Sequence, residues 1–553
     1  MTEKIWITPL GGVGEIGSLN CMLYETATEA FLIDSGSMFP DEEILGVDLI
    51  IPDFSSLESI RHKLKGIIFT HGHEDHIGSS PFLLRQFNIP VYATPFTAGL
   101  IREKCEEYAL PKKPRINVFK PGDTVKLGSF EIQTAFVNHS ILDACALAIQ
   151  TDQGSIIHLT DWKIDYTPPS GLSTDLKTFK RWGKEGVLAL FSDSTNVNIS
   201  GATLSEKEVL KQIKKIVKKH QGRIIVTLFA SNVQRVQGLL EIAKETGRVV
   251  SLLGRSMKEN TKLANQLGSL SFAGVDVVDV EETRGLDPSR VMLLVTGTQG
   301  EPRSVLTRLA HNNFKPFQIA EGDLVLYSAR VIPGNERNIY HNIDQLSRHG
   351  AKVLYEAIHD IHTSGHAHQD ELETAVKKLR PRHFIPIHGA YRQLLQHAQL
   401  VKEWGVKKEN IFVVENGQTL LFDNKKGARE GGLQVGRVFV DGSGIGDIDT
   451  VVLRDRRQLA GTGIVICVLM IDRVKGEILR GPELISRGFI EAEDGQEIFE
   501  RAKKIVTELL ESFNFEERKD LAEVQEEVRV ALRRFFNKEL DRKPVVIPVI
   551  QEV

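Results

Sequence analysis

Two histidine-rich stretches, far apart in the chain, bracket a run of alternating strands and helices, and this bracketing constrains the fold more than any other feature. The first, His71-Gly72-His73-Glu74-Asp75-His76, follows the apolar strand KGIIFT; the second covers HTSGHAHQD and PIHGAYR after about residue 360. Around the first lie short strands, KIWITPL, CMLYE, AFLID, FEIQTAFV and SIIHLTD, separated by Gly-rich or polar turns. Such spacing predicts a β-sandwich core with helices outside. From Ser205 the rhythm changes: a capping box, Ser205 to Glu208, opens a helix keeping Val209, Leu210, Ile213, Ile216 and Val217 in period. Strands RIIVTLF, RVVSLLG, VMLLVT and DLVLYSA then alternate with helices over VQRVQGLLEIAKE, residues 257–267 and SVLTRLA. Alternation implies a parallel sheet, whose ligands gather outside the carboxyl ends of the strands. Those ends carry FASN, TGTQGEP and SARVIPGNE. Because the histidine pattern resumes afterwards, the α/β unit reads as an insertion into the first domain.

Composition narrows the class. With 553 residues, 41% hydrophobic and 26% charged, the chain has length for several cores and is neither disordered nor collagen-like. The apolar run Ile464–Ile471 is far shorter than the roughly 20 residues a bilayer span needs. MTEKIWITPL lacks a signal-peptide core, and Cys21, Cys105, Cys145 and Cys467 form no CxxC pair, so a cytoplasmic protein without disulfides or membrane attachment is expected. A net charge of −4 gives no general affinity for nucleic acid. A polyanion would need a local positive field, from a basic groove or from metal ions.

Gly12-Val13-Gly14-Glu15-Ile16-Gly17 imitates a dinucleotide fingerprint, with Asp34 ending a strand downstream. The context contradicts it, because SLNCMLYE continues as strand and too few residues separate Gly17 from Phe31 for a crossover helix. The glycines are instead expected to turn tightly and let backbone approach a neighbouring site.

The strongest chemical signal is the first histidine cluster. Imidazoles at 71, 73 and 76 with the carboxylate of Asp75, projecting from a strand end, offer nitrogen and oxygen ligands suited to zinc and, less tightly, manganese. His139, Asp161 and His388 also stand at strand ends, and Asp161 is placed to bridge two ions. His158, His220 and His397 are expected to be surface or core residues.

These residues carry a family resemblance. HGHEDHIG, His139 and LTDWKID resemble the metallo-β-lactamase hydrolases; SDSTN at 192–196, SGHA at 364–367 and IHGAYR at 387–392 resemble the β-CASP nucleases among them. PLGGVGEIG, IDSGSMFP, TGTQGEP, IPGNE and VVLRDRR are similar to bacterial ribonuclease J, from about Pro9 to the end of the chain. The resemblance implies an α/β fold: an αββα sandwich, an inserted β-CASP domain and a small α/β C-terminal domain. It implies two zinc ions, with manganese or magnesium as alternatives. His71, His73, His139 and Asp161 would hold one; Asp75, His76, Asp161 and His388 the other. Asp75, Asp193 and His366 would be catalytic, His366 contacting the scissile phosphate. Ser364, Gly365, His366 and Ala367, with Ser231 and Asn232, would line a phosphate-binding groove.

The implied activity is hydrolysis of single-stranded RNA, 5′-to-3′ and internally, with a preferred 5′-monophosphate. The products would be 5′-phosphate and 3′-hydroxyl ends, in RNA maturation, including ribosomal RNA processing, and decay. A homodimer or homotetramer is implied, the C-terminal domain helping assembly. Alternatives are a β-CASP nuclease acting on DNA, a small-molecule metallo-hydrolase and a non-catalytic RNA scaffold. The polar rim of the inserted unit and the complete ligand set argue against the last two. Domain limits are expected at 1–200 and 359–425 for the metallo-β-lactamase domain, 201–358 for β-CASP, 426–449 for a linker and 450–553 for the C-terminal domain. Leu142, Thr160, Gln234 and Ala390 depart from the family pattern, where proline, glycine, histidine and glutamate are usual.

Overall fold

The computed structural model describes every residue except 1, 42–43, 333, 357–358, 443, 447, 473–476, 491–494 and 515–519. Pro333 of SARVIPGNE and Ser443 and Asp447 of the expected linker thus lie outside the described residues. The chain divides into two compact units, Met1–Met38 with Ile51–Arg437, and Phe39–Ile50 with Val438–Val553. Residues 39–50, read from sequence with the first domain, group with the C-terminal part.

Two sheets form the sandwich of the larger unit. One, of eight strands, runs in spatial order Lys426–Gly432, Gln418–Asp423, Ile5–Gly11, Cys21–Glu25, Ala30–Ile33, Leu64–Ile68, Val91–Ala93 and Ile116–Val118. The other, of six, runs His383–Ile387, Val187–Asp193, Ser155–Leu159, Cys145–Ile149, Phe130–Phe136 and Thr124–Leu127. Their facing side chains, among them Tyr24, Phe31, Ile33, Leu147, Ile156 and Phe191, make one apolar core. The edge strand Thr124–Leu127 alternates exposed and buried residues, whereas Val187–Asp193 is buried throughout. The difference follows from covering: beyond the second sheet, Phe179 and Trp182 of Leu176–Glu185, Leu372 and Val376 of Gln369–Leu379, and Val401 of Tyr391–Glu403 close its other face.

The inserted unit has five parallel strands, ordered Val249–Leu253, Val291–Val295, Ile224–Thr227, Leu324–Tyr327 and Lys352–Tyr355. Val226, Leu294 and Leu326 pack on one face with Val209, Ile213, Val217 and Leu239; Leu293, Val325 and Tyr327 pack on the other with Leu306, Leu309, Ile339 and Leu346. After this excursion the chain returns as His383–Ile387, parallel to Val187–Asp193, with Asp193 beside Ile387. That pairing sets His388 next to the strand end where the chain left.

The structure departs from the sequence reading in several places. The helices Pro95–Glu107, Leu176–Glu185 and Glu336–Arg348 and the strand Lys352–Tyr355 were not anticipated. Ser205 does cap Glu206–Lys219, accepting from the Lys207 amide, but the Glu208 carboxylate pairs with Lys211 instead of completing a box. The stretch 426–449, expected as linker, holds the strands Lys426–Gly432 and Arg437–Asp441. In the C-terminal unit, Ile464–Ile471 lies between Ile478–Arg487 and Val545–Glu552, and Val465, Cys467 and Leu469 pack against Val506, Leu510, Val528 and Leu532 of the two expected helices. The helix Thr450–Thr462 and the strand Ile478–Arg487 complete it.

Candidate metal centre

The site collects strand ends. Leu64–Ile68 delivers His71 and His73, and the short helix Glu74–Ile77 carries Asp75 and His76. Asp161 and His388 follow Ser155–Leu159 and His383–Ile387, and Asn138–His139 follows Phe130–Phe136. Asp34, Asp161 and His388 have φ of 60°, 39° and 50°, the sparsely populated left-handed region. Non-glycine residues held there mark a chain bent to aim side chains, and such bends cluster at functional sites.

Among the described residues three groups of donor atoms lie within 4.8 Å: Asp193, His366 and His388; and two larger ones that share Asp161, namely His71, His73, His139 and Asp161, and Asp75, His76, Asp161 and His388. Asp161 divides its oxygens between them. Oδ2 lies 3.6 Å from His71 Nε2 and 3.4 Å from His139 Nε2, while Oδ1 lies 3.2 Å from His76 Nε2 and 3.1 Å from His388 Nε2. His73 Nδ1 stands 3.2 Å from His71 Nε2 and 3.0 Å from His139 Nε2. Asp75 Oδ2 is 3.5 Å from His76 Nε2 and 3.3 Å from His388 Nε2.

The outward nitrogens are held too. His139 Nδ1 donates to the Gly365 carbonyl at 2.8 Å, and His76 Nδ1 donates to Asp34 Oδ2 at 2.8 Å. His71 Nδ1 sits 3.1 Å from Thr70 Oγ1, which donates to the same Asp34 oxygen at 2.8 Å. His388 Nδ1 sits 2.9 Å from Thr195 Oγ1, and that hydroxyl donates to Asp193 Oδ1 at 2.7 Å. Each of these rings therefore turns its other nitrogen inward, the arrangement of metal-ligating histidines. At Gly365 a Cβ would stand 2.7 Å from His139 Nδ1, so the close approach admits only glycine.

Charge follows the geometry. Burial opposes charge on His76, but Asp161, Asp75 and Asp34 outweigh it and hold its pKa well above the usual value. Burial likewise opposes charge on His388, outweighed by Asp161, Asp193 and Asp75. Burial lowers His71 and His139 well below the usual value, and His73 to about 4. Asp161 is held well below the carboxylate range, burial notwithstanding, by His388, His76 and His71.

The remaining expected residues surround this centre. His366 Nδ1 donates to Asp193 Oδ2, and its Nε2 lies 3.8 Å from Asp161 Oδ2. Ser364 Oγ accepts from the Asn196 amide at 2.8 Å and from the His366 amide at 3.1 Å. The Ala367 amide donates to the Trp162 carbonyl. Ser231 Oγ lies 3.2 Å from His73 Nε2, bringing the inserted unit against a candidate ligand. Asn232 is buried, and its side chain caps the helix Val233–Thr246 through the Arg235 amide. Thr160 Oγ1 donates to Asp161 Oδ1 at 2.7 Å, Leu142 packs in the apolar core of the insertion, and Gln234 and Ala390 are half-buried.

Asp34, Thr70, Asn20 and Thr195 were not singled out as functional by sequence. Asn20 Nδ2 donates to Asp75 Oδ2 at 3.2 Å and lies 3.1 Å from His76 Nε2. The signal for Asp34 and Thr195 was IDSGS and SDSTN, short polar runs closing apolar strands. The Gly12–Gly17 loop leads into the strand Cys21–Glu25, no helix opens there, and Gly17 comes close to Asp75, as the tight-turn reading expected. His158 and His397 are core residues, bonded to Tyr24 and Ser194 and lowered by burial to about 3.

Comparison with known proteins agrees with this geometry. Family models match the ribonuclease J β-CASP domain over residues 221–346, the ribonuclease J C-terminal domain over 451–553, the zinc-dependent metallo-hydrolase RNA specificity domain over 350–414 and the metallo-β-lactamase superfamily over 15–135. The chain is 36% identical to ribonuclease J 1 of Streptococcus pyogenes over 548 residues, 99% of this chain and 98% of that one. It is 38% identical to ribonuclease J of Mycobacterium tuberculosis over 548 residues, 99% and 97% of the two chains. It is 35% identical to ribonuclease J2 of Bacillus subtilis over 556 residues, 100% and 99%. A protein of unknown function from Enterococcus faecalis shares the fold, with a TM-score of 0.53 and 14% identity over 76% of this chain and 100% of that one.

Proposed function

The chain belongs to the ribonuclease J family of zinc-dependent RNA nucleases, and on that premise we propose that it holds two zinc ions and hydrolyses single-stranded RNA both from the 5′ end and internally. The observation that carries the two-ion reading is the division of Asp161 between the clusters, one oxygen to each. The donor set fits: imidazole nitrogens and carboxylate oxygens suit zinc, and manganese less tightly, and the outward nitrogens are already bonded. His71, His73, His139 and Asp161 would hold one ion, and Asp75, His76, Asp161 and His388 the other. When bound, such ions supply a water activated near neutral pH and neutralise charge developing at phosphorus.

The chain's own residues do the rest. Thr70, Asp34, Thr195 and Gly365 fix the ligand rings. Burial opposes charge on His366, but Asp193 and Asp161 outweigh it and hold its pKa above the usual value, and its Nε2 faces the centre, where it can donate to a phosphoryl oxygen. Asp193 orients that ring through Nδ1. The segment Ser364–Ala367 and Ser231 receive the strand, while Asn232 shapes the rim as a helix cap. Products are 5′-phosphates and 3′-hydroxyls, and the role is RNA maturation and decay in the cytoplasm. Among the described residues no helix is long and apolar enough to cross a membrane.

A homodimer or homotetramer is part of this reading. In the C-terminal unit, Ile466 is flanked in register by Ile485 and Ile547 on the sheet face away from the helices, and Ile485, Ile547 and Val549 are 42%, 43% and 38% exposed. A second copy covering this face would bury them. The domain limits 201–358, 359–425 and 450–553 belong to the same proposal, as does 1–200 without the segment 39–50, which groups with the C-terminal unit. The test of activity is incubation with end-labelled 5′-monophosphorylated RNA, with and without chelator. Processive shortening that chelator abolishes is expected; cleavage unaffected by chelator contradicts the proposal.

A further inference from the structure

The helix Glu206–Lys219 has no role in the centre just described, yet its surface is unusual for a chain of net charge −4. Val209, Ile213 and Val217 bury its apolar stripe. Opposite that stripe stand six lysines, Lys207, Lys211, Lys214, Lys215, Lys218 and Lys219. At 100° per residue, positions 207, 211, 214 and 218 fall within an arc of about 60°, with 215 and 219 beside it. Two carboxylates answer them: Glu208 pairs with Lys211, and Glu245 is shared by Lys214 and Lys218 at 2.5 and 4.0 Å. From Lys207 to Lys218 the row rises about 16 Å, at roughly 1.5 Å per residue. A nucleic-acid strand presents several phosphates over that length.

The head of the row lies against the loop bearing His366. Thr363 Oγ1 donates to the Leu204 carbonyl at 2.6 Å, and Lys163 Nζ reaches both at 3.4 Å. Beside it stands Tyr166, 69% exposed. Its neighbours anchor it to the start of the helix: Asp165 Oδ2 accepts from the Glu206 amide at 2.9 Å, and Thr167 Oγ1 donates to Ser205 Oγ at 2.9 Å. An exposed aromatic ring at the end of a cationic row is the combination that binds single strands, the ring stacking a base and the cations following the backbone.

We propose that the lysine face of Glu206–Lys219, headed by Tyr166, is an accessory track for the backbone of single-stranded RNA outside the hydrolytic centre. The proposal rests on the ribonuclease reading and adds to it a second contact region, and the polyanion it takes is the body of the substrate strand.

The experiment uses the full-length metal-loaded protein and a long, unstructured, hydrolysis-resistant phosphorothioate RNA, with affinity measured across a salt series. Three variants are compared: a track variant with Lys207, Lys211, Lys214 and Lys218 changed to Gln; a charge-matched control with the exposed Lys112, Lys113, Lys407 and Lys408 changed to Gln; and Tyr166→Ala. Each phosphate contact on a single strand contributes about 0.7 to the slope of log affinity against log salt, so the track variant is expected to flatten it by about 2 to 3. The control keeps the wild-type slope. Tyr166→Ala weakens binding roughly tenfold at unchanged slope, because stacking releases no counterions. A wild-type slope in the track variant, or equal flattening in track and control variants, overturns the proposal. Cleavage of ordinary RNA by the wild type is scored separately: no cleavage with an intact slope difference refutes the nuclease reading and leaves the track standing.

Discussion

His366 Nδ1 stands 2.8 Å from Asp193 Oδ2, so the ring belongs to Asp193 on one side and turns its other nitrogen toward Asp161. Both Asp161 oxygens already face other histidines, and the proposed function gives His366 the substrate rather than an ion. His366→Ala is therefore expected to lose at least 100-fold in turnover, on the order of the contribution of one transition-state donor, while keeping close to two metal equivalents. Elemental analysis checks this. Loss of one equivalent would make His366 a ligand.

Asp34 touches the centre only through other residues, directly through His76 and by way of Thr70 to His71. Removing such a support usually lowers metal affinity about 10- to 100-fold. Asp34→Ala is expected to lose metal first from the cluster containing His76, read as a drop toward one equivalent on dialysis with the fold intact by circular dichroism. Retention of both ions through the same dialysis would show that the rings need no such anchor.

Arg235 is buried and bidentate on Glu206 at 2.7 Å, and its third edge meets Ser328 and His362. Truncating one partner strands a buried charge, at a cost of about 3–5 kcal/mol, whereas replacing both by apolar residues is far milder. Arg235→Ala should show that loss in the first urea transition, and Arg235→Met with Glu206→Leu should recover most of it. A double variant as unstable as the single one would contradict this account of the pair.

Ser364 and Ser231 offer hydroxyls and Gly365 a close backbone approach beside the centre, groups suited to holding a compact anion. Monophosphorylated RNA should be degraded from its 5′ end faster than the same RNA bearing a triphosphate, with internal cleavage less sensitive to the end. A histidine at position 234 would add a charge that the neutral Gln234 amide lacks, so Gln234→His should sharpen the preference. Time courses on one RNA with either end decide it; equal rates would leave the enzyme mainly endonucleolytic.

The sequence disclosed the candidate ligands better than their supports. His71, His73, Asp75, His76, His139, Asp161 and His388 stood out because nitrogen and carboxylate donors crowd the ends of apolar strands. Asp34 and Thr195 act through hydrogen bonds to residues distant in sequence but adjacent in three dimensions, and no spacing encodes that. The inserted parallel sheet was legible from its alternation. Glu336–Arg348 was not, since only Ile339, Ile343 and Leu346 form its buried apolar stripe and no side chain caps its start. Lys426–Gly432 reads as a turn because KGAREGG packs almost nothing; pairing with Gln418–Asp423 makes it a strand.

Everything converges on Asp161, the residue shared by the two clusters. Asp161→Ala removes one oxygen donor from each at once. The most direct measurement is metal content together with turnover of 5′-monophosphorylated RNA by this variant. Both ions are expected to be held more weakly and cleavage to be abolished. Turnover at the wild-type rate, or persistence of two tightly held ions, would contradict it.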